Sequence, residues 1–294
     1  MSKHFSTFLS YLAAFAIAFV ASYFLIKPAS VEVKPVEPVV VQTPAPAPSA
    51  GEHTLTAILE RGELRIGLDA GYEPFEMRNK KGEIIGFDID MMAAAAKSMG
   101  VKLTVVNTAW DGIIPALLTR KFDVIAAGMT VTQERNLKVN FSHPYIHVGQ
   151  TILLRKGLKD EVKSYKDLNH KKYTVAAKLG TTGEQAVRRM IPRAKLITYE
   201  SQQEAALEVI SGRIDAFVYD LPFQSLMASD KGKGKLIHLN EPFTFEPLAL
   251  AIRQSDPNFL NWLNNFLYQI KHDGTYDKIY AKWFQSVEWK KEMQ

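Results

Sequence analysis

Cysteine is absent from all 294 residues. That removes disulfides, thiolate metal sites, cysteine nucleophiles and a lipid-modified N-terminal cysteine. A strong excess of one charge is missing too: 36 Lys and Arg face 31 Asp and Glu, for a net charge of +5. The basic residues are scattered, and the densest cluster, KGKGK at 231–235, has no aromatic residues between its lysines. No nucleic-acid partner is therefore expected. His143, His147 and His170 show no metal-like spacing, and no nucleophile motif occurs, so neither a metal nor another cofactor is expected.

What is present begins with an uncharged run at 5–26, preceded by Lys3. As a helix it would be ~33 Å long, enough for a hydrocarbon core of ~30 Å. A small-x-small cleavage site is missing behind it, because Phe19 interrupts FVA and Pro28 interrupts PAS. Residues 1–27 are accordingly expected to be a retained membrane anchor, with a cleaved signal peptide as the alternative. In either case the remainder leaves the cytoplasm. Residues 28–53 carry Pro28, Pro35, Pro38, Pro44, Pro46 and Pro48. Such a density of proline deprives a sheet of donors and breaks helices, which predicts an extended spacer reaching up to ~80 Å.

From Leu55 onward, strand-like and helix-like runs alternate. LRIGL (64–68), KLTVV (102–106), DVIAA (123–127), YTVAA (173–177), AKLIT (194–198) and IDAFVY (214–219) read as strands. Helical runs lie between them at 88–100, 110–120, 182–191 and 201–211. This alternation implies parallel sheets in an α/β architecture. LLTRKFDVIAAGMT and VISGRIDAFVYDLP echo each other, aligning Asp123 with Asp215 and Gly128 with Asp220. The echo suggests two lobes on one plan, with Gly128 and Asp220 facing each other beyond the strands' carboxyl ends. After a strand at 248–253, the spacing of Phe259, Trp262, Leu263, Phe266, Leu267 and Ile270 predicts an amphipathic core helix.

An amino acid needs a fork of donors for its carboxylate, an acceptor for its ammonium and walls for its side chain. Arg135 offers the fork. It sits in the first turn of a helix capped by Thr132, where the dipole disfavours a cation, so either an anionic ligand or a nearby acid should compensate it. Thr181 and Thr182 begin another helix, which makes either an anion site or an ordinary cap. Asp220 is placed to accept an ammonium or to cap the helix at Pro222. Tyr72 and Trp110 are either flat walls or packing residues.

Three segments carry a resemblance: LRIGLDAGYEPFEMRNKKGEIIGFDIDMMAAAA, WDGIIPALLTRKFDVIAAGMTVTQERNLKVNFSHPY and GRIDAFVYD. They resemble the periplasmic amino-acid-binding proteins of ABC importers, the extracellular solute-binding proteins of family 3, over roughly 55–288. The resemblance implies a two-lobed periplasmic-binding-protein fold (type II): two parallel or mixed sheets flanked by helices, with a ligand cleft between lobes. Lobe 1 would comprise 54–147 with 246–294 and lobe 2 would comprise 148–245, the chain crossing near 145–149 and 244–248.

By motif, Arg135 would bind the ligand carboxylate, assisted by Thr130 and the Thr181–Thr182 helix start. Asp220 and the Gly128 carbonyl would take the ammonium, and Tyr72 and Trp110 would flank the side chain. Asp69 and Lys178 fall where relatives selective for glutamine or basic amino acids read that side chain. Glutamine is the first expectation, since its amide needs both an acceptor and a donor. A basic amino acid follows, with Lys178 an awkward neighbour for it. The expected partners are a small-molecule amino acid, ABC permease subunits and the membrane, with the chain a monomer. The alternatives are a cyclohexadienyl or arogenate dehydratase-like enzyme on the same fold, and a ligand-sensing co-receptor.

Overall fold

The computed structural model describes residues 53–293. The expected anchor and all of the spacer except His53 lie outside these residues. Among the described residues no helix is long and apolar enough to cross a membrane.

The first half contains α1 (Thr54–Arg61), β1 (Glu63–Leu68), a small hairpin of β2 (Met77–Arg78) and β3 (Ile84–Ile85), α2 (Phe87–Met99) and β4 (Lys102–Asn107). A 3-10 turn, Trp110–Gly112, leads into α3 (Ile113–Leu118), followed by β5 (Val124–Ile125), α4 (Gln133–Asn136) and β6 (Asn140–Phe141). Next come β7 (Ile146–Val148), β8 (Gln150–Arg155), β9 (Thr174–Lys178), α5 (Thr182–Met190), β10 (Lys195–Tyr199), α6 (Gln202–Ile210) and β11 (Ala216–Asp220). The chain continues with α7 (Leu221–Ser229), β12 (Leu236–Leu239), β13 (Glu246–Leu248), β14 (Ala251–Ile252), α8 (Pro257–His272) and α9 (Thr275–Tyr280).

Two five-stranded sheets result, ordered β4-β1-β5-β14-β6 and β10-β9-β11-β8-β12. In each, the three strands read from helix–strand alternation run parallel: β4, β1 and β5 in lobe 1, and β10, β9 and β11 in lobe 2. One strand in each sheet is reversed: β14 pairs antiparallel with β5 and β6 in lobe 1, and β8 pairs antiparallel with β11 and β12 in lobe 2. A purely parallel reading fails there for a topological reason. β8 and β14 enter their lobes directly from the crossover, without a helix to carry them back. The crossover itself is the antiparallel pair β7–β13, with Glu246 opposite Val148 and Leu248 opposite Ile146. The single strand read at 248–253 is thus two strands, one in the crossover and one in the first sheet.

The echo noted in the sequence has a shared physical job. Asp123 Oδ2 accepts the Arg65 amide of β1, and Asp215 Oδ2 accepts the Thr174 amide of β9, both at 2.8 Å. Each aspartate pins the neighbouring parallel strand just before its own strand begins. In α8, Phe259, Leu263, Phe266, Leu267 and Ile270 are buried as the spacing requires. Trp262 departs from that expectation: it is only half-buried and stacks on Phe266 at 5.4 Å. The start of the described chain is fastened to lobe 1, where Asp256 accepts the Thr54 amide and hydroxyl at 3.1 and 2.5 Å.

Candidate functional site

The carboxyl ends of β1 and β5 face those of β9 and β11, and the polar residues that follow these strands line one cavity between the sheets. All ten residues singled out in the sequence line it: Asp69, Tyr72, Trp110, Gly128, Thr130 and Arg135 from lobe 1, and Lys178, Thr181, Thr182 and Asp220 from lobe 2. Glu76, Ala127, Gln150 and Tyr219 complete the lining.

Arg135 is buried at 9 % exposure. Its backbone amide donates to the Thr132 hydroxyl at 3.1 Å, so the N-cap forms as expected. The guanidinium donates through Nη1 to the Thr130 carbonyl at 2.9 Å and through Nη2 to the Gly180 carbonyl at 3.3 Å. It stacks over the Trp110 ring at 5.3 Å. Among the described residues no carboxylate comes within ion-pair distance of it. Burial pulls its pKa down, while Glu246 and then Asp220 push it back up by charge from further away. A buried guanidinium satisfied only by carbonyls has given up water without gaining an anion, which is costly for a fold.

Asp220 ends β11 and precedes α7, but its side chain makes no cap. Instead Oδ2 accepts the Tyr72 hydroxyl and Oδ1 accepts Gln150 Nε2, each at 2.6 Å. Burial pushes its pKa up to about 7, against the hydrogen bond from Tyr72, and Glu246 pushes the same way. Tyr72 is therefore held by its hydroxyl, with its ring edge-on to Tyr219 at 5.4 Å and tilted against Phe75 at 4.6 Å. That ring lies across Gly128, whose φ is +55° and where a Cβ would meet Tyr72 Cε1 at 2.4 Å. Both the backbone angle and the ring require glycine there. The Gly128 amide is anchored from behind by Asp88 Oδ2 at 2.9 Å.

Thr181 caps α5 by accepting the Glu184 amide at 3.4 Å, while its hydroxyl donates to the Lys178 carbonyl at 2.7 Å. Thr182 Oγ1 receives Gln150 Nε2 at 3.3 Å and lies 3.5 Å from Thr130 Oγ1 across the cleft. Trp110 closes the mouth, its Nε1 donating to the Gly180 carbonyl at 3.0 Å.

Lys178 and Asp69 meet as a cross-lobe ion pair at 2.6 Å, the lysine side chain only 4 % exposed. They neutralise each other, leaving Glu76, which the sequence reading did not single out. It is 1 % exposed, and its Oε2 has no hydrogen-bond partner among the described residues. Burial raises its pKa well above the carboxylate range, and Asp88 adds to the effect.

The chain has counterparts among known proteins. The model of the bacterial extracellular solute-binding proteins, family 3, matches residues 64–286. The chain belongs to this family. ABC transporter arginine-binding protein 1 of Escherichia coli is 34% identical over 225 residues, 76% of this chain and 90% of that one. A putative binding component of an ABC transporter from Wolinella succinogenes, solved in complex with lysine, is 54% identical. Its TM-score is 0.76, covering 79% of this chain and 99% of that one. The ancestral amino-acid-binding protein AncCDT-1, described as a precursor of cyclohexadienyl dehydratase, is 52% identical with a TM-score of 0.75, covering 79% and 99%. This family 3 chain is therefore an extracytoplasmic amino-acid-binding protein of ABC transport with the type II fold, and not an enzyme.

Proposed function

We propose that this family 3 protein captures a cationic L-amino acid, lysine or arginine, between its lobes and delivers it to an ABC permease. The observation that carries the reading is the charge pattern of the cleft. A bound zwitterion would give Arg135 its missing carboxylate and Asp220 an ammonium, with Thr130, Thr181, Thr182 and the Gly128 carbonyl assisting. Asp69 and Lys178 cancel, so the acidic group left over is Glu76, which burial holds protonated and which an arriving cation would help to ionise. A cationic side chain completes that carboxylate, whereas a neutral amide leaves it without a counter-charge in a low-dielectric site. This reverses the order expected from the sequence, where glutamine stood first because Asp69 and Lys178 were taken as free to read an amide. Lysine and arginine are also what two of the similar proteins are named for or bound to.

Titration calorimetry of Glu76→Gln tests the reading. Loss of the charge should weaken L-lysine by ~2 kcal/mol or more, about 30-fold, while L-glutamine changes little. Equal, unchanged affinities for both would refute it. Turnover of supplied prephenate or arogenate would instead favour a dehydratase. The protein is further proposed to act as a monomer held at the membrane by residues 5–26. N-terminal sequencing of the mature protein that begins beyond residue 20 would refute the tether.

A further inference from the structure

Glu246 lies in the crossover strand β13, is 4 % exposed, and has one carboxylate oxygen, Oε2, without a hydrogen-bond partner among the described residues. Its other oxygen accepts the Thr244 hydroxyl at 2.7 Å. The same hydroxyl oxygen accepts the Gln150 amide, where β8 leaves the crossover, at 2.9 Å. Gln150 in turn sends its side-chain amide into the cleft, to Asp220 Oδ1 at 2.6 Å and Thr182 Oγ1 at 3.3 Å. A continuous hydrogen-bonded chain thus joins the crossover to the cleft carboxylate: Glu246, Thr244, Gln150, Asp220 and, from lobe 1, the Tyr72 hydroxyl. Each link uses a specific donor and acceptor, while Glu246 Oε2 and Gln150 Oε1 are left without partners among the described residues.

We infer that Glu246 is a positioning residue for ligand capture, holding Asp220 through Thr244 and Gln150 and coupling the crossover to the ammonium site. The inference rests on the proposed amino-acid cleft, but assigns a role to residues outside the set of groups that would touch the ligand's carboxylate and side chain. It also has an electrostatic side. Glu246 is the first charge acting on Arg135 and on Asp220, holding the protons of both more tightly. The groups facing Asp220 are Tyr72 from the β1 loop, Arg135 from α4, Glu246 from β13 and the neutral Gln150 from β8. The buried Tyr219 hydroxyl lies beside it on β11 and also feels Glu76 and Asp69. Among these, Glu246 is the charge that both opposes ionisation of Asp220 and stands on the crossover.

The test is the pH profile of L-lysine affinity by calorimetry, for the full chain and two variants. In the native protein affinity should rise with pH through a step near 7, where Asp220 ionises to receive the ammonium, with the ionisation of Glu76 adding a separate rise. Glu246→Gln keeps an oxygen for Thr244 and removes the charge, so the midpoint should move to lower pH. Gln150→Leu keeps the volume and cuts the chain, so lysine should weaken by about tenfold or more through loss of a hydrogen bond to a charged group. A purely packing role for Glu246 would leave the midpoint where it was. A Glu246→Gln profile superimposable on the native one, or a Gln150→Leu affinity equal to native, would overturn the inference. If the native protein binds no amino acid at any pH, it is the underlying cleft reading that fails.

Discussion

Asp88 offers a prediction whose size follows from its surroundings. It lies in the first turn of α2 with 0 % exposure, where Oδ2 accepts the Gly128 amide and the Tyr145 hydroxyl, each at 2.9 Å. Its Oδ1 has no partner among the described residues. Burial raises its pKa from 3.8 to about 7, with the two hydrogen bonds opposing the rise. A carboxyl whose folded pKa is raised holds its proton more tightly in the native state. Its stabilisation is full below pH ~4, drains away as the pH climbs toward 7, and is flat above that. A shift of about 3 units corresponds to ~4 kcal/mol at 1.36 kcal/mol per unit. Asp88→Asn keeps one oxygen for Gly128 and Tyr145 but places an amide where Oδ1 found nothing. That costs ~1–3 kcal/mol at every pH. The variant should therefore be less stable than native at pH 4.5 and equal to it, or more stable, at pH 8. Thermal unfolding of both proteins across this range reads the crossing directly. A stability difference that does not change with pH would show that Asp88 is ionised throughout, and the account of its burial would be wrong.

Two substitutions probe the cleft. Arg135→Lys keeps a cation but loses the planar fork, and calorimetry should show ligand affinity reduced by ~2 kcal/mol or more; an unchanged affinity would mean the guanidinium does not grip a carboxylate. Gly128→Ala forces a Cβ onto the Tyr72 ring at a positive φ, so it should lower the melting temperature and weaken binding together, and a variant indistinguishable from native in both would refute the close packing.

Much of the cleft was legible because its residues stand at strand ends, where an α/β chain presents polar groups after an apolar run. Thr181 and Asp220 were each readable as a ligand contact or as ordinary capping, and Arg135 as a ligand contact or the partner of a nearby acid. Asp220 makes no cap, whereas Thr181 does and also faces the cavity, so only the folded chain could separate the two readings. Glu76 was missed because the second glutamate of EPFEM resembles a solvated loop residue. Its signal was the apolar company of Phe75 and Met77, which the fold buries completely. Gln150 and Glu246 were missed for a topological reason. β8 follows the crossover strand β7 and β13 is itself a crossover strand, so no helix–strand alternation marks them, and the Gln150–Thr244 bond that joins them spans 94 residues. The Lys178–Asp69 pair shows the same limit, since two charges 109 residues apart declare their mutual neutralisation only when both lobes are in place.

Calorimetric titration of the native protein with each L-amino acid in turn tests the central claim most directly. The charge pattern of the cleft predicts that lysine or arginine binds most tightly, with glutamine weaker and glutamate and leucine weaker still. Tightest binding of glutamine would mean that Asp69 and Lys178 part to read an amide and that Glu76 is spectator to the ligand. Tightest binding of glutamate or leucine would contradict the account of the cleft altogether.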